Sequence, residues 1–300
     1  MLKIGIIGLG EIATKAYLPV IGRKNLEVHL CTRNEKNLSR LGDQYRFENR
    51  HHNLDSLIHA GIKAAFVHTS TASHYSIIEH LLENNIHVYV DKPVTDSFES
   101  TQSLVELANK KSLTLMAGFN RRYAPAYAKL KELKNPNMIV MQKNRKSLPG
   151  EVRTFVFDDF IHVLDTLLFL FPHPVEHLTV IGKKTDTQLH HVVVQFNSTD
   201  GITAIGIMNR DSGTVEEKLE VYTPDEKWVV NDVSETIILR DKNATRPGVN
   251  DWESTLHKRG FEQIVEVFLQ MVKNGTSPSP LHQDLLQTHK LCERVVEALV

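Results

Sequence analysis

Asp158, His162 and Asp165 stand four and three residues apart, a spacing that brings all three to one face of a helix. A carboxylate beside an imidazole orients the ring, fixes its tautomer and raises its pKa. The trio therefore reads as a device for moving a proton, although two carboxylates and an imidazole could also hold a divalent ion. A second candidate is Lys92, in Asp91-Lys92-Pro93 directly after the apolar run His87-Val88-Tyr89-Val90. A cation at the C-terminal edge of a strand, beside a cofactor crevice, can stabilise a developing alkoxide. A third is Gly8-Leu9-Gly10-Glu11-Ile12-Ala13, which fits the G-x-G-x-x-G/A pattern. A strand-like run precedes it, a helical stretch follows, and a second strand comes at the expected distance. Gly8 permits the tight turn, Gly10 lets the backbone approach a pyrophosphate, and the small Ala13 lets helix and sheet pack closely. The helix start at Glu11 and Ile12 offers N–H groups and a positive dipole end to phosphates.

The second strand ends in Cys31-Thr32-Arg33-Asn34, without the acid that usually reads a ribose 2′-hydroxyl. An arginine there suits a 2′-phosphate, because its planar fork matches phosphate oxygens. NADP(H) is therefore favoured over NAD(H); otherwise Arg33 stacks on adenine or faces solvent.

These groups need a frame. Up to residue 118, strand-like runs at 2–7, 26–31, 64–68, 87–90 and 113–117 alternate with amphipathic stretches near 12–22, 35–42, 72–84 and 96–110. Short apolar strands separated by helices imply a parallel sheet covered on both faces. The pattern then changes. A helix is expected over 122–134, a strand over 138–143, a polar loop over 144–154, and a helix over 158–171 stopped by Pro172 and Pro174. Strands follow at 175–181, 191–196, 202–208, 217–222, 228–230 and 236–239, joined by polar turns, as in an antiparallel sheet. Helices near 254–273 and 281–299 close the chain around a turn-rich linker at 274–280. The expected fold class is α/β: an N-terminal doubly wound Rossmann domain (1–119), then an α+β domain (120–300) with a mostly antiparallel open sheet for substrate binding and oligomerisation.

A chain of 300 residues with 41% hydrophobic and 24% charged residues is an ordinary globular sequence long enough to bury a core. Its net charge of -1 gives no pull toward nucleic acid or a membrane surface. The N-terminal run 1–8 is apolar but too short for a signal peptide or a span. Cys31 and Cys292 form no Cys-x-x-Cys motif and read as reduced, buried thiols. A cytoplasmic location is expected.

Four ordered phrases join the glycine loop: Ser-Thr-Ala-Ser-His at 70–74, Asp-Lys-Pro at 91–93, Gly-Phe-Asn-Arg-Arg at 118–122, and Asp158-Asp159-Phe160-Ile161-His162-Val163-Leu164-Asp165. Together they resemble the Gfo/Idh/MocA oxidoreductase family, most closely its MviM-like branch, over nearly the whole chain. The resemblance implies that Lys92 sits between substrate and nicotinamide, that His162 is the proton carrier, and that Asp158 assists it. It adds Thr69, Ser70, His74 and Asp91 to the cofactor-binding set. It places Asn120, Arg121 and Tyr123 along the substrate site. Asp165 is counted with them, either supporting the ring or capping the structure. Lys143, Arg145 and Trp252 are weaker candidates for substrate contact. Two departures stand out. Asp91 replaces the family's glutamate and so has a shorter reach and a different partner. Phe155, Phe157 and Phe160 stand where many members carry glycines, so the pocket is narrowed or the helix displaced.

The implied reaction is reversible oxidation of a secondary alcohol on a sugar or cyclitol-like polyol. His162 takes the hydroxyl proton, the carbon gives hydride to C4 of the nicotinamide, and Lys92 stabilises the charge on oxygen. This chemistry needs no metal. Two rivals remain at this stage: a cofactor-binding sensor without turnover, and redox-assisted hydrolysis or elimination on a glycoside. A homodimer or tetramer is expected, as in many relatives.

Overall fold

Six short strands form one wholly parallel sheet: β1 (Leu2–Ile7), β2 (Leu26–Cys31), β3 (Asn49–His51), β4 (Ala64–Val67), β5 (His87–Val90) and β6 (Leu115–Ala117), in the order β3-β2-β1-β4-β5-β6. Chain order reverses beside β1, and in such sheets ligands bind in the crevice outside the strand C-termini at that point. The central strands are apolar because helices cover both faces; all four residues of β4 are fully buried. Helices Glu35–Tyr45, Leu54–His59 and Phe98–Lys110 begin at Asn34, Asn53 and Ser97, whose side chains accept backbone N–H bonds of their first turns. The computed structural model describes residues 1–248, 252–276 and 278–300. The sheet and its helices belong to a unit of residues 1–118 and 261–286.

The second unit comprises residues 119–260 and 287–300. Its mixed sheet contains β7 (Met138–Asn144), β8 (Gly150–Glu151), β9 (His177–Thr185), β10 (Gln188–Asn197), β11 (Thr203–Asn209), β12 (Glu216–Tyr222), β13 (Lys227–Asn231), β14 (Glu235–Arg240) and β15 (Asn243–Thr245). The order is β15-β14-β13-β12-β7-β11-β10-β8, with β9 also on β10. Every pairing is antiparallel except β7 with β11. Helix Ile161–Leu170 lies on β7 and β11.

Several expectations are corrected. β3 and helix Leu54–His59 were not foreseen, since neither has a long apolar stripe. The stretch 12–22 is not one regular helix: it carries a π turn at Ala13–Tyr17 before Leu18–Ile21. The helix expected over 122–134 shrinks to Pro125–Leu130 behind a 3₁₀ turn, Asn120–Tyr123, because Pro125 holds Ala124 extended. The loop expected over 144–154 ends in β8 and helix Val152–Phe155, whose first N–H groups are capped by the Glu151 carboxylate. A second π turn, Val156–Phe160, leads into Ile161–Leu170. Helices Thr255–Lys258 and Phe261–Asn274 replace the single helix expected over 254–273, broken at Gly260, whose φ is 81°. Ser277, within the expected linker, lies outside the described residues. Among the described residues no helix is long and apolar enough to cross a membrane.

Candidate active site

In the first unit, the turn after β1 is set by Gly8 at φ 84°, a conformation that favours glycine. A Cβ there would come within 2.8 Å of the His68 carbonyl group and of the Thr69 methyl. At Gly10 a Cβ would meet nothing within 4 Å, so the backbone borders open space. That space is a cleft of about 720 Å³ lined by Gly8, Gly10, Thr32, Arg33, Thr69 and Ser70 among others, within the range of cofactor sites. Ala13 is fully buried. Glu11 and Ile12 begin the helix with exposed side chains, and Glu11 pairs with Lys15. Asn37 donates to the Leu9 carbonyl at 3.2 Å, tying the helix after β2 to the glycine loop.

Two residues expected to bind cofactor are engaged by the protein itself. His74 is 1% exposed, and its ring nitrogens face the backbone oxygens of Pro93 (3.0 Å) and Thr69 (3.1 Å). It braces the Thr69 loop and the Lys92-Pro93 turn. Asp91 is held by His68, with Nδ1 to Oδ2 at 2.9 Å, which supplies the different partner that its short side chain demanded. The His68 ring lies 4.1 Å from that of Tyr17, whose hydroxyl bonds Tyr89 at 2.7 Å. His68 Nε2 is buried with no hydrogen-bond partner among the described residues. Lys92, which follows Asp91, is half-buried just past the C-terminal end of β5.

In the second unit the organising residue is Arg121. Its Nε and Nη2 donate to the two oxygens of Glu217 at 2.7 and 2.6 Å, and Nη1 lies 2.8 Å from His162 Nδ1. A guanidinium only donates, so Nδ1 must accept, and the neutral ring carries its proton on Nε2. Burial alone would push the Glu217 carboxyl up, but Arg121 outweighs it and holds the pKa at about 2. Arg121 is 6% exposed, so it positions His162 from behind rather than lining an open substrate wall.

The π turn also changes which carboxylate faces inward. A π turn takes more residues per turn than an α turn, so the four-residue spacing no longer aligns Asp158 as on a regular helix. Asp158 is exposed, and Asp159 is buried against Lys143, with Arg145 Nε donating at 3.0 Å. Asp165 is 2% exposed; it accepts from Arg122 Nε at 3.1 and 3.0 Å, from Arg122 Nη2 at 2.8 Å, and from Thr288 at 3.0 Å. That makes it a structural anchor. Asn120, also buried, donates to the Arg259 carbonyl at 2.8 Å. Tyr123 is half-buried and Trp252 is 96% exposed. Phe155, Phe157 and Phe160 are fully buried in the core of this unit. Among the described residues no group of three His, Cys, Asp or Glu is placed to hold a metal ion.

Residues 2–119 match the family model for an oxidoreductase family with an NAD-binding Rossmann fold, and residues 125–241 match that for the C-terminal domain of YceM-like proteins. The chain is 34% identical to YceM of Salmonella typhimurium, over 99% of this chain and 97% of that protein. The solved structure of a dehydrogenase, MviM, from Clostridium difficile matches with a TM-score of 0.94 at 31% identity, covering 99% of both chains. This chain belongs to the Gfo/Idh/MocA family. Within it, the chain falls in the MviM-like branch, and it is an oxidoreductase acting on CH–OH groups with a nicotinamide cofactor. The myo-inositol 2-dehydrogenase of Thermotoga maritima is a more distant relative, 23% identical over 94% of this chain and 92% of that protein.

The residues present in this Gfo/Idh/MocA chain fit a dinucleotide. Gly10 leaves room where a pyrophosphate must approach, and Thr32, Arg33, Thr69 and Ser70 offer donors along the same cleft. Sequence reading missed His68, Asp159 and Glu217 as parts of these sites. A signal existed for Glu217, which is in phase with the inward-facing Leu219 and Val221 on β12. An acid at an inward strand position calls for a buried cation.

Proposed function

We propose that this protein is an NADP(H)-preferring dehydrogenase that interconverts a secondary alcohol and its ketone on a sugar- or cyclitol-like polyol. The cleft around Gly8 and Gly10 carries the reading, with Arg33 as the cation at the end of β2. The relative named for myo-inositol supports the substrate class. When bound, the cofactor exchanges hydride at its nicotinamide. Lys92 holds the proton that leaves the substrate hydroxyl in oxidation and returns it in reduction. His162 acts differently from the expected base. With Nδ1 engaged by Arg121 it stays neutral, and it donates from Nε2–H to the substrate oxygen as negative charge develops there. Asp158, exposed in the π turn that precedes this helix, assists from the substrate side. Tyr123 contributes to the polyol wall, and Arg121 acts through His162.

Thermal-shift titration of NAD+ and NADP+ tests the cofactor, since stabilisation follows occupancy. The larger shift is expected with NADP+, and Arg33→Ala is expected to remove the preference. A polyol panel with the better cofactor, read by absorbance of the reduced nicotinamide, tests the reaction. Lys92→Met and His162→Asn are each expected to cost about a hundred-fold or more in kcat with cofactor binding retained. Unchanged turnover in both overturns the assigned roles. Self-association is part of the same reading. The sheet face opposite helix Ile161–Leu170 presents partly exposed Val140, Val193, Ile205 and Ile207, which a second copy would cover. Sedimentation showing only monomer removes that part.

A further inference from the structure

At the C-terminal ends of two central strands of the second unit's sheet, which run parallel, two arginines leave side by side. Asn144 of β7 pairs with Asn209 of β11, so Arg145 and Arg210 follow at the same level, and Arg145 N donates to the Asn209 carbonyl at 2.8 Å. Parallel neighbours lie about 4.8 Å apart, which sets the two guanidinium groups within reach of one ligand group. Their shared protein anion is Asp159. Its carboxylate already takes Lys143, and it takes Arg145 at 3.0 and 3.2 Å, while Arg210 Nε stands off at 4.0 Å.

Arg210 is the informative member. Its side chain is 11% exposed, and Nε is buried without a hydrogen bond. Among the described residues, no acceptor hydrogen-bonds its guanidinium. It lies over the Phe155 ring, 5.0 Å from the centroid, and Gly150 leaves it room, since a Cβ there would come within 3.3 Å of Nη1. A guanidinium so enclosed pays the cost of lost hydration with one distant ion pair in return. Arg145 has its Nη1 donors unused by Asp159 and keeps 38% of its side chain exposed. Burial first, and then the field of Arg121, push the Lys143 ammonium down to about 7.

We propose that Arg145 and Arg210 form a subsite for an oxyanion carried by the substrate, a carboxylate or a phosphate. Two adjacent planar forks match two oxygens of such a group. The segment that supplies Asp159 to the cluster leads directly into the helix bearing His162, and Arg121 touches His162 while raising the positive field at Lys143. The substrate is then an acidic polyol, such as a sugar acid or sugar phosphate, rather than a neutral cyclitol. The proposal rests on the dehydrogenase reading for the nature of the remaining ligand, but binding alone tests it.

Calorimetric titration of the full chain with saturating NADP+ would compare D-gluconate and D-glucose 6-phosphate with neutral D-glucitol. One acid is expected to bind on the order of ten-fold or more tightly than glucitol, as a charged hydrogen-bond pair provides. Which acid wins distinguishes carboxylate from phosphate. Arg210→Met and the more exposed Arg145→Met are each expected to remove the preference, with the NADP+ thermal shift reporting an intact fold. Equal affinity for glucitol and both acids overturns the proposal, as does retention of the preference in both variants. Anion binding without redox turnover would sink the dehydrogenase reading and leave the subsite; turnover of neutral polyols without preference would do the reverse.

Discussion

Around Gly8 the cleft is lined by backbone, two threonines and two serines, and Arg33 stands just past the end of β2 with its side chain exposed. Around Arg121 it buries ions: Arg121 with Glu217, Lys143 with Asp159, Arg122 with Asp165. In the first unit a buried histidine is kept neutral. His282 accepts the Leu115 N–H on Nε2 at 3.1 Å and turns Nδ1 to Asn109 at 2.7 Å, and burial pushes its pKa down to about 4. The contrast teaches where each site is fragile. A backbone cradle fails when atoms are added to it, and an ion network fails when charge is taken away.

The largest effect is expected from Glu217→Gln, which nearly keeps the shape and removes the charge. Arg121 is then a buried cation without its counter-ion, and breaking such a pair from one side costs about 3–5 kcal/mol. Denaturant unfolding measures it, and kcat should fall as well because Arg121 loses the anchor that holds it on His162. Arg33→Ala removes a charge from the other site and is expected to change stability by no more than about 0.5 kcal/mol. If the two substitutions cost the same, the contrast between the sites is wrong.

Acid should act on the two units in sequence. The folded-state pKa of His282 is depressed, so below its unfolded value of 6.5 the unfolded chain binds more protons. Its contribution is complete above pH 6.5 and is lost as pH falls toward 4, amounting to about 3 kcal/mol. Glu217 is also depressed, from 4.5 to about 2, so its contribution holds above pH 4.5 and is lost only as pH falls from there toward 2. Melting curves between pH 7 and pH 4 should therefore decline through His282 first. His282→Asn should flatten that limb and leave the lower one.

The difference between the units also explains what could be read without coordinates. β1, β2 and β5 lie where the apolar runs placed them, because strands buried on both faces are written as continuous hydrophobic sequence. The glycine loop is legible because its constraints are local: turn, approach and close packing fall within six residues. The second site is not local. Arg121 and Glu217 are 96 positions apart, and neither sequence neighbourhood names the other. The inward face Asp159 presents depends on a π turn, which breaks the helical spacing on which the Asp158-His162-Asp165 reading rested. His68 escaped for another reason: a histidine ending an apolar strand reads as ordinary until the shortened acid at Asp91 is seen to reach it.

The smallest effects come from single methyl groups and test the cradle directly. Gly8→Ala must hold a side chain at φ 84° and place its Cβ within 2.8 Å of the His68 carbonyl. About 1–3 kcal/mol of stability should be lost through strain, together with cofactor affinity as the Thr69 loop shifts. Gly10→Ala meets no protein atom within 4 Å, so its melting temperature without ligand should stay close to the wild-type value, or rise slightly as the unfolded chain loses freedom. Its NADP+ affinity should nevertheless drop, because the new methyl occupies space that the pyrophosphate needs. Stability unchanged and affinity reduced is a pairing that only a ligand lying against Gly10 produces. Wild-type NADP+ affinity in Gly10→Ala would place the dinucleotide somewhere other than this loop.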